Sequence, residues 1–181
     1  MKRTLLPALV VLALITSGPS CFAQPQPSEY DLKAAFLYQF TTFVEWPFGL
    51  LDDPDEPLVF GVVGAKELVD NLELLSSGRE GAGRPLEVRR IGTRDDLEGV
   101  HVVFVDERIT NNAEPLLMDA IDKSVLTVTE SNGFRPPNSI INFEVVDNKV
   151  RFDVSLSLAQ QANLRISARM LQFALRVIGD P

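Results

Sequence analysis

The stretch Leu58-Val-Phe-Gly-Val-Val63 is a continuous apolar run that ends at Gly64. A run of this length without polar alternation is typical of a strand that is buried on both faces of a parallel sheet. Leu68, Leu72 and Leu75 follow at spacings of four and three residues, the period of one helix face. The stretch therefore predicts a buried strand followed by a helix.

The same signals return further along the chain. Strands are predicted over residues 86–91, 101–105 and 124–128, and the last two are separated by a helix that carries Leu116, Leu117, Ala120 and Ile121. Buried strands that alternate with helices predict an α/β domain with three layers. We expect a mainly parallel open sheet flanked by helices, Rossmann-like in its arrangement.

The pattern changes near the end of the chain. Residues 140–146 and 149–154 flank Asp147-Asn148, a two-residue link that favours a tight hairpin, so the sheet should end in an antiparallel pair. A terminal helix is then predicted, with one apolar face formed by Ile166, Met170, Phe173, Ala174 and Val177. We expect this helix to be buried between the sheet and the first helix.

The segment from Tyr30 to Phe48 holds seven of the fourteen aromatic side chains of the chain. Ser28 and Asp31 are spaced as a capping box for a helix that starts here and stops at Pro47. Its predicted buried face consists of Leu32, Phe36, Phe40 and Phe43. The domain should therefore open with a strongly apolar helix that packs on the core.

Residues 1–23 have the pattern of a secretory signal: a basic start, a short apolar run and small residues before Ala23. We expect cleavage after Ala23 and a single periplasmic domain over residues 24–181; a lipoprotein anchored through Cys21 is the alternative. Once Lys2 and Arg3 are removed, 15 of the 17 basic residues remain against 25 acidic ones. That net charge repels phosphate backbones and argues against nucleic acid as a partner.

The sequence contains no catalytic signature. The only histidine, His101, begins a predicted strand, where packing is expected in place of catalysis. One histidine and no mature cysteine make a zinc site improbable, and the glycine-rich residues 78–83 precede a strand instead of opening a helix, the wrong context for phosphate binding. We therefore expect no enzyme activity, no metal and no cofactor.

Two groups of residues are candidate binding sites. Gly64, Asp106, Thr129 and Asn132 follow or close predicted strands, and ligands of doubly wound sheets bind at the carboxyl ends of strands. For Asp106 a helix cap or a surface position is the expected role, and ligand contact is the alternative. Glu45, Trp46 and Phe48 end the first helix and are candidates for partner binding, since aromatic residues are frequent interface anchors. For both Trp46 and Phe48, packing on the core or as a lid is the default expectation, and partner binding is the competing one.

A series of short stretches follows in order along the mature chain. They are Lys33-Ala-Ala-Phe-Leu-Tyr-Gln-Phe40, Phe43-Val-Glu-Trp-Pro47, Gly83-Arg-Pro-Leu-Glu-Val88, His101-Val-Val-Phe104, Val125-Leu-Thr-Val128 with Gly133-Phe134, Ile141-Asn-Phe143, Val150-Arg-Phe152, and the tail from Ala162 to Leu171. Together these stretches resemble the YfiR family of exported regulatory proteins. The resemblance spans the mature chain in order and implies a periplasmic repressor of a membrane-bound diguanylate cyclase. It does not carry over disulfide bonds, because the mature chain has no cysteine. Pro136-Pro-Asn-Ser139 and Ser155 also depart from the family pattern.

The leading hypothesis is a non-enzymatic periplasmic regulatory protein. By resemblance, it binds the exported domain of a membrane signalling protein, a cyclase or sensor kinase, and controls cyclic-di-GMP output and biofilm formation. The alternative is a periplasmic small-molecule sensor with its pocket at the carboxyl edge of the sheet. A homodimer is compatible with either hypothesis.

Overall fold

The computed structural model describes residues 27–76, 80–81 and 84–179. The helices are α1 Glu29–Phe40, α2 Lys66–Ser76, α3 Glu107–Thr110, α4 Glu114–Asp122, α5 Leu156–Gln161 and α6 Ala168–Leu171. The strands are β1 Val44–Glu45, β2 Leu58–Val63, β3 Glu80–Gly81, β4 Arg84–Arg90, β5 Val102–Val105, β6 Leu126–Glu130, β7 Ile141–Val146, β8 Lys149–Ser155, β9 Arg165–Ile166 and β10 Arg176–Ile178. The predicted signal sequence, its cleavage site and Cys21 lie outside the described residues.

Eight strands form one mixed sheet in the order β10-β8-β7-β6-β5-β2-β4-β3, and β1 pairs with β9 in a separate two-stranded sheet. Strands β4, β2, β5, β6 and β7 are mutually parallel, while β3 with β4 and β7 with β8 are antiparallel. Strands β4 and β5 lie on opposite sides of β2. The chain therefore adds strands first on one side of β2 and then on the other, and the topological switch point lies between β2 and β5. The predicted α/β class and mainly parallel open sheet are confirmed.

Apolar side chains cover both faces of the sheet. One core contains Leu68, Val69 and Leu72 of α2 together with Ala34, Leu37 and Phe40 of α1. The other contains Leu116, Leu117 and Ala120 of α4 against alternate residues of β2 and β5. Helices therefore flank the sheet on both sides, which gives the three expected layers.

The predicted hairpin is confirmed. Strands β7 and β8 pair from Ile141 with Val154 to Val146 with Lys149. The two linking residues have positive backbone angles, φ 50° at Asp147 and φ 57° at Asn148. A two-residue turn of this type needs φ above zero at both positions, which Asp and Asn tolerate better than other residues with side chains. The link therefore supplies the turn that the sequence indicated.

The first helix is shorter than predicted, and its buried face is different. The capping box is present, with the Ser28 side chain accepting from the Asp31 backbone and the Asp31 side chain accepting from the Ser28 backbone. However, α1 ends at Phe40, and the chain continues as β1 because Val44 pairs with Ile166 of β9. Leu32 is exposed, and the residues that α1 buries are Lys33, Ala34, Leu37 and Phe40.

The predicted terminal helix is wrong. Residues 165–178 form β9, the single turn α6 and β10 instead. The cause is a long-range pairing: β10 adds to the sheet beside β8, and Arg176 donates to Asp153 of β8 from Nε at 3.0 Å and from Nη2 at 2.6 Å. Met170 is buried as expected, but Phe173 is 67% exposed. The segment still lies beside α1, because Met170 shares a core with Phe40.

Candidate functional site

The carboxyl edge of the sheet is organised around Asp106, which follows β5 and is buried. Its carboxylate caps α3 by accepting from the Arg108 backbone at 2.9 Å, and it also accepts from the Arg108 guanidinium at two distances of 2.8 Å. The Tyr30 hydroxyl donates to it at 3.2 Å. The hydrogen bond from Arg108 holds the pKa of the Asp106 carboxyl below its usual range, despite burial. The helix cap that was expected for Asp106 is therefore present.

The other three residues of the predicted pocket lie at the same edge and contact protein groups. Gly64 has φ +89°, and a Cβ there would lie 2.4 Å from Cδ1 of Ile109, so only glycine fits this turn. Thr129 is buried and hydrogen-bonds the Asn142 side chain at 2.8 Å. Asn132 accepts from the backbone N–H of Val145 at 3.0 Å. A ligand at this edge would have to displace such contacts.

Sequence reasoning missed the buried ion pair at this edge. Lys33 of α1 contacts Glu130 at the end of β6 with 2.5 Å between Nζ and Oε1, and their side chains are only 1% and 9% exposed. Glu29 also pairs with Lys33, and the Lys33 ammonium lies 4.9 Å from the centre of the Tyr30 ring. Burial raises the pKa of the Glu130 carboxyl by disfavouring its charged form. Among the described residues, its Oε2 is buried without a hydrogen-bond partner. The pair fastens the first turns of α1 to the end of β6.

Glu45, Trp46 and Phe48, the three residues predicted to bind a partner, line one groove of 370 Å³. Trp46 is half-buried against the core, and its indole Nε1 is buried without a hydrogen-bond partner. Phe48 is 98% exposed. Trp46 therefore both packs on the core and lines the groove, whereas the Phe48 side chain is almost wholly exposed to solvent.

Two long-range features hold this groove in place. Strand β1 pairs with β9, so Glu45 lies opposite Arg165. Arg84 of β4 donates to the carbonyl oxygens of Leu51 and Asp53, each at 2.8 Å, and so fixes the loop that forms the far wall. This role of Arg84 was not predictable from the sequence, because the contact joins segments that are distant along the chain.

A second cavity, of 330 Å³ and almost wholly apolar, lies between α1 and the segment after α6. Its lining consists of Phe36, Gln39, Phe40, Phe43, Phe152, Met170 and Phe173. The cavity was not predicted from the sequence, because the predicted terminal helix would have covered these rings. The cavity is large enough for a small apolar molecule.

Among the described residues, His101 packs in the core and no metal-binding cluster is formed. His101 is buried, and its Nδ1 accepts from the Val59 backbone N–H at 3.1 Å, which is the packed role that we expected. In the described ranges, no three His, Cys, Asp or Glu side chains are grouped so that they could hold a metal ion. The same ranges contain no helix with the length and apolarity required to span a bilayer.

A search of curated proteins found no similar protein. A family model described as YfiR/HmsC-like matches residues 30–175, which begin in α1 and end just before β10. The match includes both cavities and all the predicted site residues. The chain therefore belongs to the YfiR/HmsC-like family.

Proposed function

We propose that this chain is a non-enzymatic periplasmic regulatory protein that binds the exported domain of a membrane-bound diguanylate cyclase and holds the cyclase inactive. Membership of the YfiR/HmsC-like family, a regulatory family, supports this function. Cyclic-di-GMP output, and with it biofilm formation, would then rise when the protein is absent or releases its partner. The alternative membrane partner is a sensor kinase, bound through its exported domain.

The observation that carries the proposal is the exposure of Phe48 beside the groove at Trp46. A phenylalanine that is 98% exposed contributes little to the stability of its own domain. Aromatic side chains at the centre of an interface commonly contribute about 2 kcal/mol or more to binding. The Phe48 ring, with the groove of 370 Å³ next to it, offers such an anchor.

Repression of this type requires that the protein bind one state of its partner better than the other. A ligand shifts an equilibrium only by the difference between its affinities for the two states. A preference of about 3 kcal/mol changes the ratio of inactive to active cyclase by roughly a hundredfold. No catalytic group is needed for this mechanism.

The proposal is tested in cells that carry the matching membrane cyclase. Expression of the wild-type protein should lower cyclic-di-GMP, and Phe48→Ala should abolish this effect with an unchanged melting temperature. The control is Met118→Ala, which truncates another exposed apolar side chain, 56% exposed, on α4. If Phe48→Ala lowers cyclic-di-GMP as much as the wild type does, the proposed binding surface is contradicted. If the wild-type protein does not change cyclic-di-GMP, the proposed function is contradicted.

The second candidate function is that of a periplasmic small-molecule sensor. The observation that favours it is the apolar cavity of 330 Å³ lined by Phe36, Phe40 and Phe173. Pockets that bind small ligands have about this volume and are lined mainly by apolar and aromatic side chains. Binding there could modulate the regulatory role, because the cavity shares Phe43 with the segment that leads from α1 to Trp46.

A further inference from the structure

We propose that the groove beside Trp46 binds a basic, extended polypeptide segment of the partner, with an apolar side chain placed against Trp46 and Phe48 and with Lys or Arg side chains at the acidic rim. The inference rests on the proposed function for its biological meaning, and it adds the chemistry of the partner's segment. The groove and the charges around it carry the argument.

The rim of the groove is strongly acidic. Glu45 and Asp52 line it, and Asp53, Asp55 and Glu56 are exposed on the loop beside it. Residues 44–57 contain these five carboxylates and no lysine or arginine. A surface with one sign of charge attracts a partner of the opposite sign and repels other partners.

In the described part of the chain, two nearby arginines offset only part of this charge. Arg84 lines the groove and donates to the backbone carbonyls of Leu51, Asp53 and Glu56, so it is not paired with a rim carboxylate. The side chain of Arg165 is 86% exposed and lies 3.9 Å from Glu45, a distance at which an exposed pair contributes little. Five carboxylates against these two arginines leave the rim with a net negative charge, which attracts cations that a partner supplies.

The floor of the groove is apolar, so an occupant that covers it must carry an apolar group as well as a positive charge. Val44, Trp46, Pro47 and Leu51 form it, and Phe48 extends beside it into solvent. A free metal ion or a small inorganic cation would leave this surface exposed to water. A polypeptide segment that carries both an apolar anchor and basic residues would cover it.

The charge of the whole chain argues against a second copy as the occupant. The full sequence has 25 acidic and 17 basic residues, so two copies repel each other on average. In a symmetric contact between two copies at this groove, the five carboxylates of residues 44–57 in one copy would face the same five carboxylates of the other copy. We therefore assign the groove to a different, basic chain.

The single tryptophan of the protein reports directly on this groove. The probes are two synthetic ten-residue peptides that share one central leucine, one flanked by arginines and the other by glutamates. The arginine peptide should change the Trp46 emission with saturation and with a strong dependence on salt, and the glutamate peptide should not. An equal response to both peptides, or an equal response to spermidine, would overturn the inference.

A matched pair of double variants tests the rim. Glu45→Gln with Asp52→Asn removes two rim charges and keeps the side-chain oxygen that accepts from the Gly49 backbone. Binding of the arginine peptide should weaken about tenfold, since each rim pair contributes a modest free energy. Glu114→Gln with Asp122→Asn removes the same charge from exposed positions of α4 and should leave binding unchanged. Equal weakening by both double variants would overturn the inference.

The same variants separate this inference from the proposed function. If the cyclase's exported domain binds the rim variant and the wild type with equal affinity, the basic segment is refuted while the regulatory function stands. If no exported domain binds but the peptides are still discriminated, the regulatory function is refuted and the specificity of the groove stands.

Discussion

Replacement of Lys33 by methionine should destabilise the domain far more than its place on an outer helix suggests. Lys33 has a side chain that is 1% exposed and pairs at 2.5 Å with Glu130, whose side chain is 9% exposed. Removing one partner of a buried pair leaves an uncompensated charge, at a cost of about 3–5 kcal/mol. Glu29 adds little, because its side chain is 48% exposed.

We expect Lys33→Met to lower the free energy of unfolding by about 3 kcal/mol at pH 7.5. For a chain of this length that corresponds to a fall of roughly 6–12 °C in melting temperature. The assay is urea unfolding followed by far-UV circular dichroism. The matched control is Lys66→Met: Lys66 pairs at 2.6 Å with Asp70 on α2, but its side chain is 73% exposed, so a loss of about 0.5 kcal/mol or less is expected.

Two further measurements separate the ion pair from simple packing. Lys33→Met combined with Glu130→Met removes both charges and should recover most of the lost stability. The free energy of unfolding that Lys33→Met loses should become smaller as the pH falls from 7.5 to 5. Burial raises the pKa of the Glu130 carboxyl, so the folded variant takes up a proton there and the buried charge disappears. The reasoning would be refuted if Lys33→Met lost no more stability than Lys66→Met. It would also be refuted if the added Glu130→Met substitution lowered the stability further.

Two other predictions concern stability. Burial lowers the pKa of the His101 imidazole below 6.5, so the unfolded chain binds a proton that the folded chain does not. The free energy of unfolding should therefore fall from pH 7.5 to pH 5.5, and His101→Asn should show a smaller fall; an equal fall would contradict this. Gly64→Ala should cost about 2 kcal/mol or more in chemical denaturation, because φ is +89° and the new Cβ would meet Ile109 at 2.4 Å. Gly133→Ala, at φ +83° with no atom within 4 Å, should cost about 1 kcal/mol, and equal costs would exclude the Ile109 contact as the cause.

Local sequence signals predicted most of the sheet. Strand β2 was predictable because six buried residues in a row have no polar alternation. The hairpin was predictable because Asp147-Asn148 tolerates positive φ at two successive positions. In both cases the deciding signal lies within a few residues along the chain.

The errors come from contacts between distant segments. Met170, Phe173 and Val177 have helical spacing, but Arg176 pairs with Asp153 and adds the segment to the sheet as β10. Lys33 looks like a solvated helix residue, and only the position of Glu130 at the end of β6 explains its burial. Periodicity within one window cannot report such pairs.

The candidate site was predictable in the same limited way. Glu45, Trp46 and Phe48 are close in sequence, so one short segment indicated three residues that line the groove. The far wall depends on Arg84, which reaches the carbonyl of Leu51 from another strand. The partner-binding role of these residues, and the ligand pocket proposed at Gly64, Asp106, Thr129 and Asn132, remain predictions.

The central claim is that the exposed surface at Phe48 binds the exported domain of a membrane-bound cyclase. The most direct measurement is calorimetric titration of the mature protein with that purified domain, for the wild type, Phe48→Ala and Leu74→Ala. Leu74 is the matched control, because it is an apolar side chain on α2 that is 75% exposed. We predict that Phe48→Ala weakens binding about thirtyfold or more and that Leu74→Ala binds like the wild type. Equal affinities for all three proteins, or no binding by the wild type, would contradict the claim.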